Sequence, residues 1–196
     1  MSVGLILLGI IVILALYAVG LYNKLVSLRN LVKNAWSQID VQLQRRYDLI
    51  PNLIETVKGY MGYEKGTLEA VVNARNQSLA ALKALNNAGG PTEGSLKELA
   101  VAEQTLKSGV TQIFALAESY PELKANETMQ RLQEELSTTE NKVAFARQAY
   151  NDQAMIYNTA QQQFPAVLVA AFLGHHPADL FEVKEDEVKK PVKVAF

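Results

Sequence analysis

The first feature of the chain is an unbroken apolar segment, from Val3 to Tyr22, in which no residue carries a charge. As a helix that rises roughly 1.5 Å per residue, this segment covers about 30 Å, the thickness of the hydrocarbon layer of a bilayer. A cleaved signal peptide is the alternative, but no Lys or Arg precedes Lys24 and the apolar run is longer than the usual signal core. The pattern therefore predicts a transmembrane anchor over residues 1–22.

Three cations, Lys24, Arg29 and Lys33, follow the apolar segment closely. Positively charged residues beside a span tend to stay on the cytoplasmic side of the membrane. We therefore expect a single-pass protein of the cell inner (plasma) membrane with its body in the cytoplasm. A periplasmic or extracellular body is the alternative, because three charges give only a modest bias.

After the anchor, the pattern changes to an amphipathic one with apolar residues three or four positions apart, which is typical of one helical face. No turn signal separates this stripe from the apolar segment, so we predict that the transmembrane helix continues directly into a soluble helix. Trp36 lies beside the stripe and is interpreted as a core residue, with an intersubunit contact as the alternative. The stripe consists of Leu25, Leu28, Val32, Ala35 and Ile39.

The segment QRRYDLIPNL, residues 44–53, predicts an interruption of this helix. Pro51 lacks an amide hydrogen and is best tolerated in a first helical turn, so we expect Asp48 to act as an N-cap and a kink or short break near Tyr47. The two arginines could bond helix carbonyls, pair with Asp48 or a neighbouring helix, or contact a partner or a lipid headgroup. The candidate interaction residues here are Arg45, Arg46, Asp48 and Asn52.

The second helical pattern runs from Pro51 to a loop at residues 86–94, NNAGGPTEG. Gly59, Gly62 and Gly66 fall on one face of this helix, which would permit close approach of another helix. Local flexibility is the alternative interpretation. The pattern thus predicts one helix across all three glycines.

Two further helices follow the loop. Ser95 is the predicted cap of the third helix, and Tyr120 with Pro121 marks its end. The last long helix is predicted to begin near Asn126, and its apolar positions keep a three-four alternation that is typical of coiled-coil-like packing in a bundle. The rings on this stripe are interpreted as core residues and belong to Tyr150, Tyr157 and Phe164.

An apolar stretch, Phe164 to Leu173, follows this helix and is too short to cross a bilayer. Packing on the bundle, an intersubunit contact and a shallow membrane contact are the three interpretations. The bundle domain is accordingly predicted over residues 23–173, with a mixed-charge tail over 174–196. Its PVKVAF end suits an extended segment that docks on a neighbour, and a solvated, frayed terminus is the alternative. The candidate contact residues in this part are Phe164, Phe172 and Phe196.

Composition and motifs exclude several classes of protein. The formal net charge of −1 gives no basis for nucleic-acid binding, and the absence of cysteine excludes disulfides and thiolate chemistry. We found no phosphate-binding, hydrolase or metalloprotease motif, and expect neither an enzyme nor a cofactor. His175 and His176, with Asp179 and Glu182, are residue types that bind zinc, but adjacent histidines seldom share one metal, so no metal site is predicted.

Several segments together carry a resemblance to a known family. They are RRYDLIPNL, VVNAR, QAYNDQAMIYN, FPAVLVAAFLG and the closing PVKVAF, and with the apolar N-terminal span the chain resembles the bacterial LemA family over nearly its whole length. The resemblance implies an all-α fold in which a single N-terminal transmembrane helix is continuous with a long-helix antiparallel bundle. It implies no catalytic residues. Magnetosome-associated relatives suggest a role in organising membranes, and other members accompany membrane proteases.

Two functions follow from these observations. The preferred one is a membrane-anchored scaffold that self-associates and organises or shapes the membrane, because apolar residues remain beyond those that the bundle needs. The alternative is an accessory or adaptor module for another envelope protein, such as a membrane protease. The expected partners are therefore the lipid bilayer and further copies of the chain, with an envelope protein as the alternative.

Overall fold

The computed structural model describes residues 3–170 and 172–181, and within these ranges it contains helices and no strand. The long helices are α1 (Val3–Lys58), α2 (Lys65–Asn87), α3 (Glu93–Ala117) and α5 (Glu127–Gln162). A short helix α4 (Pro121–Lys124) connects α3 to α5, and a 3-10 turn (Ala166–Leu168) follows α5. The predicted all-α fold is confirmed.

Helix α1 joins the apolar segment to the bundle without a break, as predicted. The beginning of α1 is long and apolar enough to cross a membrane, and none of its most apolar window is buried against the rest of the protein. From Leu25 onward the inner face of the same helix is buried. One continuous helix therefore carries both the candidate span and the first wall of the bundle.

The bundle is built from two helix pairs, α1 with α5 and α2 with α3. Partners along α1 and α5 run in opposite directions, since Trp36 contacts Tyr150 while Arg45 pairs with Glu135. The predicted inner stripes supply the core, including Ile39 on α1 and Leu106 on α3. Trp36 is buried, as expected, and its indole Nε1 donates a hydrogen bond to Asn86 Oδ1 at 3.0 Å.

The predicted interruption near Tyr47 is wrong, because α1 continues through Pro51 to Lys58. Proline removes the hydrogen bond that a backbone amide at this position would donate to the carbonyl four residues earlier. Here that carbonyl belongs to Tyr47, and Arg75 Nε of α2 donates to it at 3.1 Å. A side chain from another helix thus replaces the missing donor, and Asp48 lies inside the helix rather than capping a new one.

The true interruption lies at the glycines, where α1 ends at Lys58 and α2 begins at Lys65. A methyl group placed on Gly59, Gly62 or Gly66 would meet no atom within 4 Å, so the predicted close approach of helices at these residues is wrong. The close approach occurs instead between α2 and α3, where a methyl group on Gly109 would lie 2.8 Å from Val71 Cγ2. Glycine at 109 lets these two helices pack closely.

The caps of the later helices agree only partly with the prediction. Helix α3 begins earlier than expected, with Thr92 as N-cap and Ser95 completing a capping box. The side chain of Asn126 accepts hydrogen bonds from the amides of Thr128 at 2.9 Å and Met129 at 3.1 Å, which confirms the predicted start of α5.

The predicted core stripe of α5 is buried at Tyr150 and Tyr157 but not at Phe164. Helix α5 ends at Gln162, so helical periodicity no longer determines where the side chain of residue 164 points. Phe164 is exposed, and its interpretation as a core residue is wrong.

Candidate functional site

Two Tyr-Asn pairs on α5 bind the chain segment that follows the apolar stretch, Phe164 to Leu173. Asn158 donates through Nδ2 to the carbonyl of Ala178 at 2.8 Å and accepts from the amide of the same residue at 2.7 Å. Asn151 makes the same pair of contacts with Phe181, at 3.3 and 2.8 Å. Each side-chain amide therefore binds the extended backbone as a neighbouring strand would. We call residues 175–181 the strap.

The two tyrosines that precede these asparagines also bind the strap. Tyr150 donates to the carbonyl of Asp179 at 2.8 Å, and the Tyr157 hydroxyl lies 3.0 Å from His175 Nδ1. Burial, helped by the Asp179 charge, raises the pKa of Tyr150 to about 12, and burial also raises the pKa of Tyr157. Both hydroxyl groups therefore keep their protons at neutral pH, and the Tyr150 hydroxyl uses its proton to donate to the strap.

His175 is buried at the end of the strap nearest the apolar segment of α1, whereas the adjacent His176 is exposed. Its ring packs edge-on against Tyr157 and against Tyr22 of α1, with 6.0 Å between ring centroids in each case. Burial lowers the pKa of His175, and the positive charges of Arg29 and His176 act in the same direction. The neutral imidazole therefore joins α1, α5 and the strap.

A second polar cluster lies in the middle of the bundle. Glu103 of α3 accepts hydrogen bonds from Tyr47 Oη at 2.6 Å and from Arg46 Nη1 at 3.1 Å. Burial, followed by the negative charge of Glu103, raises the pKa of Tyr47 above its ordinary value. Both carboxylate oxygens of Glu103 are thus engaged by α1. This arrangement is suited to fixing the position of α3 on α1.

Arg147 of α5 connects the central cluster to the strap. Its guanidinium lies over the Phe181 ring, 4.6 Å from the centroid, and burial lowers the pKa of Arg147 although Glu103 opposes the shift. Arg46, Glu103, Arg147 and Phe181 all line one cleft of about 250 Å³. The end of the strap therefore lies beside the ion pair that joins α1 and α3.

The described residues offer few places for a metal or a small molecule. Across them, no three His, Cys, Asp or Glu side chains come together as a metal ion would require. An open cleft of about 730 Å³ lies between the end of α1 and the start of α2, lined by Ile54, Met61, Leu68 and Val72 with Lys58 and Lys65. Glu69 and Asn73 complete its polar lining.

Comparison with known proteins agrees with this architecture. A family model described as the LemA family matches residues 35–196. The chain belongs to the LemA family. The match begins inside α1, after the apolar segment, and includes the Tyr-Asn pairs and the strap. The family resemblance noted in the sequence is confirmed, and this LemA-family protein is membrane-associated, with α1 as its candidate span.

Individual relatives of this LemA-family chain are distant. Magnetosome protein MamQ of Magnetospirillum gryphiswaldense is 23% identical over 177 residues, a match that covers 83% of this chain and 65% of MamQ. Protein LemA of Metamycoplasma hominis is 26% identical over 169 residues, covering 86% of this chain and 72% of that protein. The chain thus spans just under two thirds of the length of its magnetosome relative.

The predicted contact residues of α1 fall into two groups. Arg45, Asp48 and Asn52 are exposed, and Arg45 Nη2 lies 3.9 Å from Glu135 Oε2 of α5. Arg46 is buried in the ion pair with Glu103. The structure therefore corrects the surface contact considered for Arg46, because its charge is already neutralised inside the bundle.

The predicted contact residues of the apolar stretch, Phe164 and Phe172, are both exposed, while Phe196 lies outside the described residues. Sequence reasoning missed the function of Asn151, Asn158 and His175. One signal was present, since the Tyr-Asn pair recurs after seven residues, which places both asparagines on one helical face.

Proposed function

We propose that this LemA-family protein is a membrane-anchored scaffold that self-associates and organises or shapes the membrane. In this proposal the protein is not an enzyme, and its partners are the lipid bilayer and further copies of itself. The observation that carries the proposal is a group of exposed apolar side chains on the outside of α5, the helix that packs along α1.

The outer face of α5 exposes Phe145, which is 71% accessible, together with Met155 and Ile156. Phe145 and Ile156 are eleven residues apart, about three helical turns, and so lie on the same side of the helix. The opposite side of α5 already packs into the core through Val143, Tyr150 and Tyr157. Asp152 is also exposed on this side of α5, so the outer face is mixed, but its three large apolar side chains are suited to burial against a further helix.

A second copy of the chain is the occupant that membrane anchoring favours. Anchored copies share one plane and one orientation, which raises their effective concentration relative to free partners. Because α5 runs along α1, a two-fold axis normal to the membrane would bring two outer faces together. Three positively charged residues follow the candidate span, namely Lys24, Arg29 and Lys33, and they support placing the bundle on the cytoplasmic side of the inner membrane.

The mass of the detergent-purified full-length protein, measured by light scattering, tests self-association. We expect an oligomer that dissociates when Phe145→Ser and Ile156→Ser are combined. Val101→Ser is the matched control, because Val101 is also exposed but lies on α3. A full-length protein that is monomeric at all concentrations would contradict the proposal. Electron microscopy of vesicles carrying each form then shows whether loss of the oligomer also abolishes membrane shaping.

The accessory-module alternative is favoured by one observation, the exposed polar stripe of Arg45, Asp48 and Asn52 on α1. These residues are three and four positions apart and face away from the core. A photoactivatable crosslinker attached at Asn52→Cys in native membranes tests it. A discrete heteromeric product that forms with this variant, and not with a label at Val101→Cys, would support an envelope partner.

A further inference from the structure

The loop between α5 and the strap, residues 163–174, buries small side chains and exposes large apolar ones. Its buried described residues are small, Ala166 and Ala170, whereas its largest apolar side chains face outward. Phe164 is 80% exposed, Leu168 is 70% exposed and Phe172 is 91% exposed. A loop that water surrounds would be expected to bury its large apolar side chains before its alanines.

This outward orientation results from fixed loop ends and not from fraying. The amide of Ala170 donates to the carbonyl of Ala166 at 2.8 Å, and the amide of His175 donates to the carbonyl of Ala170 at 3.0 Å. Beyond the loop, the strap is held by both Tyr-Asn pairs of α5. The backbone therefore holds the alanines against the bundle and leaves the phenylalanines outside.

The loop lies beside the end of the apolar segment of α1. His175, which directly follows the loop, packs against Tyr22, the last residue of the apolar segment. Tyrosine favours the boundary between hydrocarbon and headgroups, so the ring contact places the loop at that level. Exposed Lys24 and Arg29 lie just beyond Tyr22, where cations meet anionic headgroups.

We propose that the loop inserts Phe164, Leu168 and Phe172 into the leaflet through which α1 leaves the bilayer. This proposal rests on the proposed anchoring by α1. The loop then gives the protein a second, shallow membrane contact. It is too short to span, so it occupies one leaflet only. Insertion on one side of α1 fixes the tilt of the bundle and adds volume to a single leaflet, which is a direct physical route to membrane curvature.

A second copy is the alternative occupant of this apolar surface, but the position of the loop favours lipid. The bilayer is already adjacent to the loop through α1, so lipid contact requires no additional protein. Val167, which is also exposed, extends the apolar surface around the 3-10 turn.

The absence of cysteine makes the proposal directly testable by single spin labels on the full-length protein. We would label Phe172→Cys and Leu168→Cys in vesicles of phosphatidylethanolamine and phosphatidylglycerol, and compare collisions with oxygen and with a water-soluble nickel complex. Ile11→Cys in the span and Val101→Cys on α3 are the two reference positions. Exposed positions are chosen because cysteine there leaves the fold intact.

We expect oxygen to exceed nickel accessibility several-fold at positions 168 and 172, with a depth of about 5–10 Å below the headgroups. Labels at 168 and 172 that resemble the one at 101, while the label at 11 reports lipid, would overturn the loop contact and leave the anchor standing. A label at 11 that also reports water would overturn the anchoring itself. Dipolar broadening between labels at 172 with low accessibility to both reagents would show contact between copies and overturn the lipid assignment.

Discussion

The middle of the bundle and its membrane-proximal end differ in what they bury. In the middle, the charged pair of Arg46 and Glu103 is enclosed between α1 and α3. At the proximal end, Ala166 is buried while Phe172 is almost fully exposed. The first region is stabilised from within by matched charges, and the second is arranged for an apolar medium outside. The difference is what the proposed insertion of the loop into lipid would require.

The largest effect is expected from Glu103→Ala. It leaves the Arg46 guanidinium buried without its carboxylate and removes the acceptor of the Tyr47 hydroxyl. We expect a loss of about 3–5 kcal/mol in the free energy of unfolding, measured by denaturant titration of helical circular dichroism. Glu135→Ala is the control, because its pair with Arg45 is solvent-exposed and is expected to contribute only about 0–1 kcal/mol.

The next effect is expected from Asn158→Ala, which removes both hydrogen bonds to the backbone of Ala178. Leaving these groups unpaired is expected to destabilise the protein by about 1–3 kcal/mol. Hydrogen exchange at the Ala178 amide should accelerate, while exchange in the middle of α2 and α3 stays unchanged. The exposed Asn30→Ala is the control. Equal acceleration in both variants would show that Asn158 does not hold the strap.

A smaller effect is expected from pH through His175. Its pKa in the folded protein is lowered by burial and by Arg29 and His176, so the unfolded chain binds a proton more readily. The contribution of His175 to stability is therefore fully present above the ordinary histidine pKa of about 6.5 and is lost as the pH falls below it. When the pH is lowered from neutral to mildly acidic, the free energy of unfolding, measured by denaturation, should fall less for His175→Gln than for wild type. His176→Gln should behave nearly as wild type does.

The smallest effect on stability is expected from Phe172→Ser. Because the ring is exposed, the free energy of unfolding in detergent should change by less than about 0.5 kcal/mol. Phe181→Ser is the matched control, since that ring is buried against Trp36 and should cost about 3–5 kcal/mol. A large destabilisation by Phe172→Ser would mean that the loop packs on the bundle, and the contrast between the two regions would then disappear.

Much of the fold could be predicted because helical periodicity is a local signal. The stripe from Leu25 to Ile39, the start of α5 at Asn126 and the continuity of α1 with the apolar segment were all predicted correctly. The candidate site was harder to predict. Arg46 is buried although an arginine is usually exposed. The reason is its ion pair with Glu103, a residue 57 positions further along the chain.

The sequence by itself determined the elements whose causes are local: an uncharged segment of membrane length, apolar stripes at helical spacing, and side chains able to cap a helix. The tertiary structure decided what depends on residues distant in the chain. Arg75 supplies the donor that allows α1 to continue through Pro51, and Asn151 and Asn158 fix the strap that turns Phe172 outward. Hydrogen bonds of this kind form only when segments that are distant in the chain come together, and the pattern within one segment does not encode that contact.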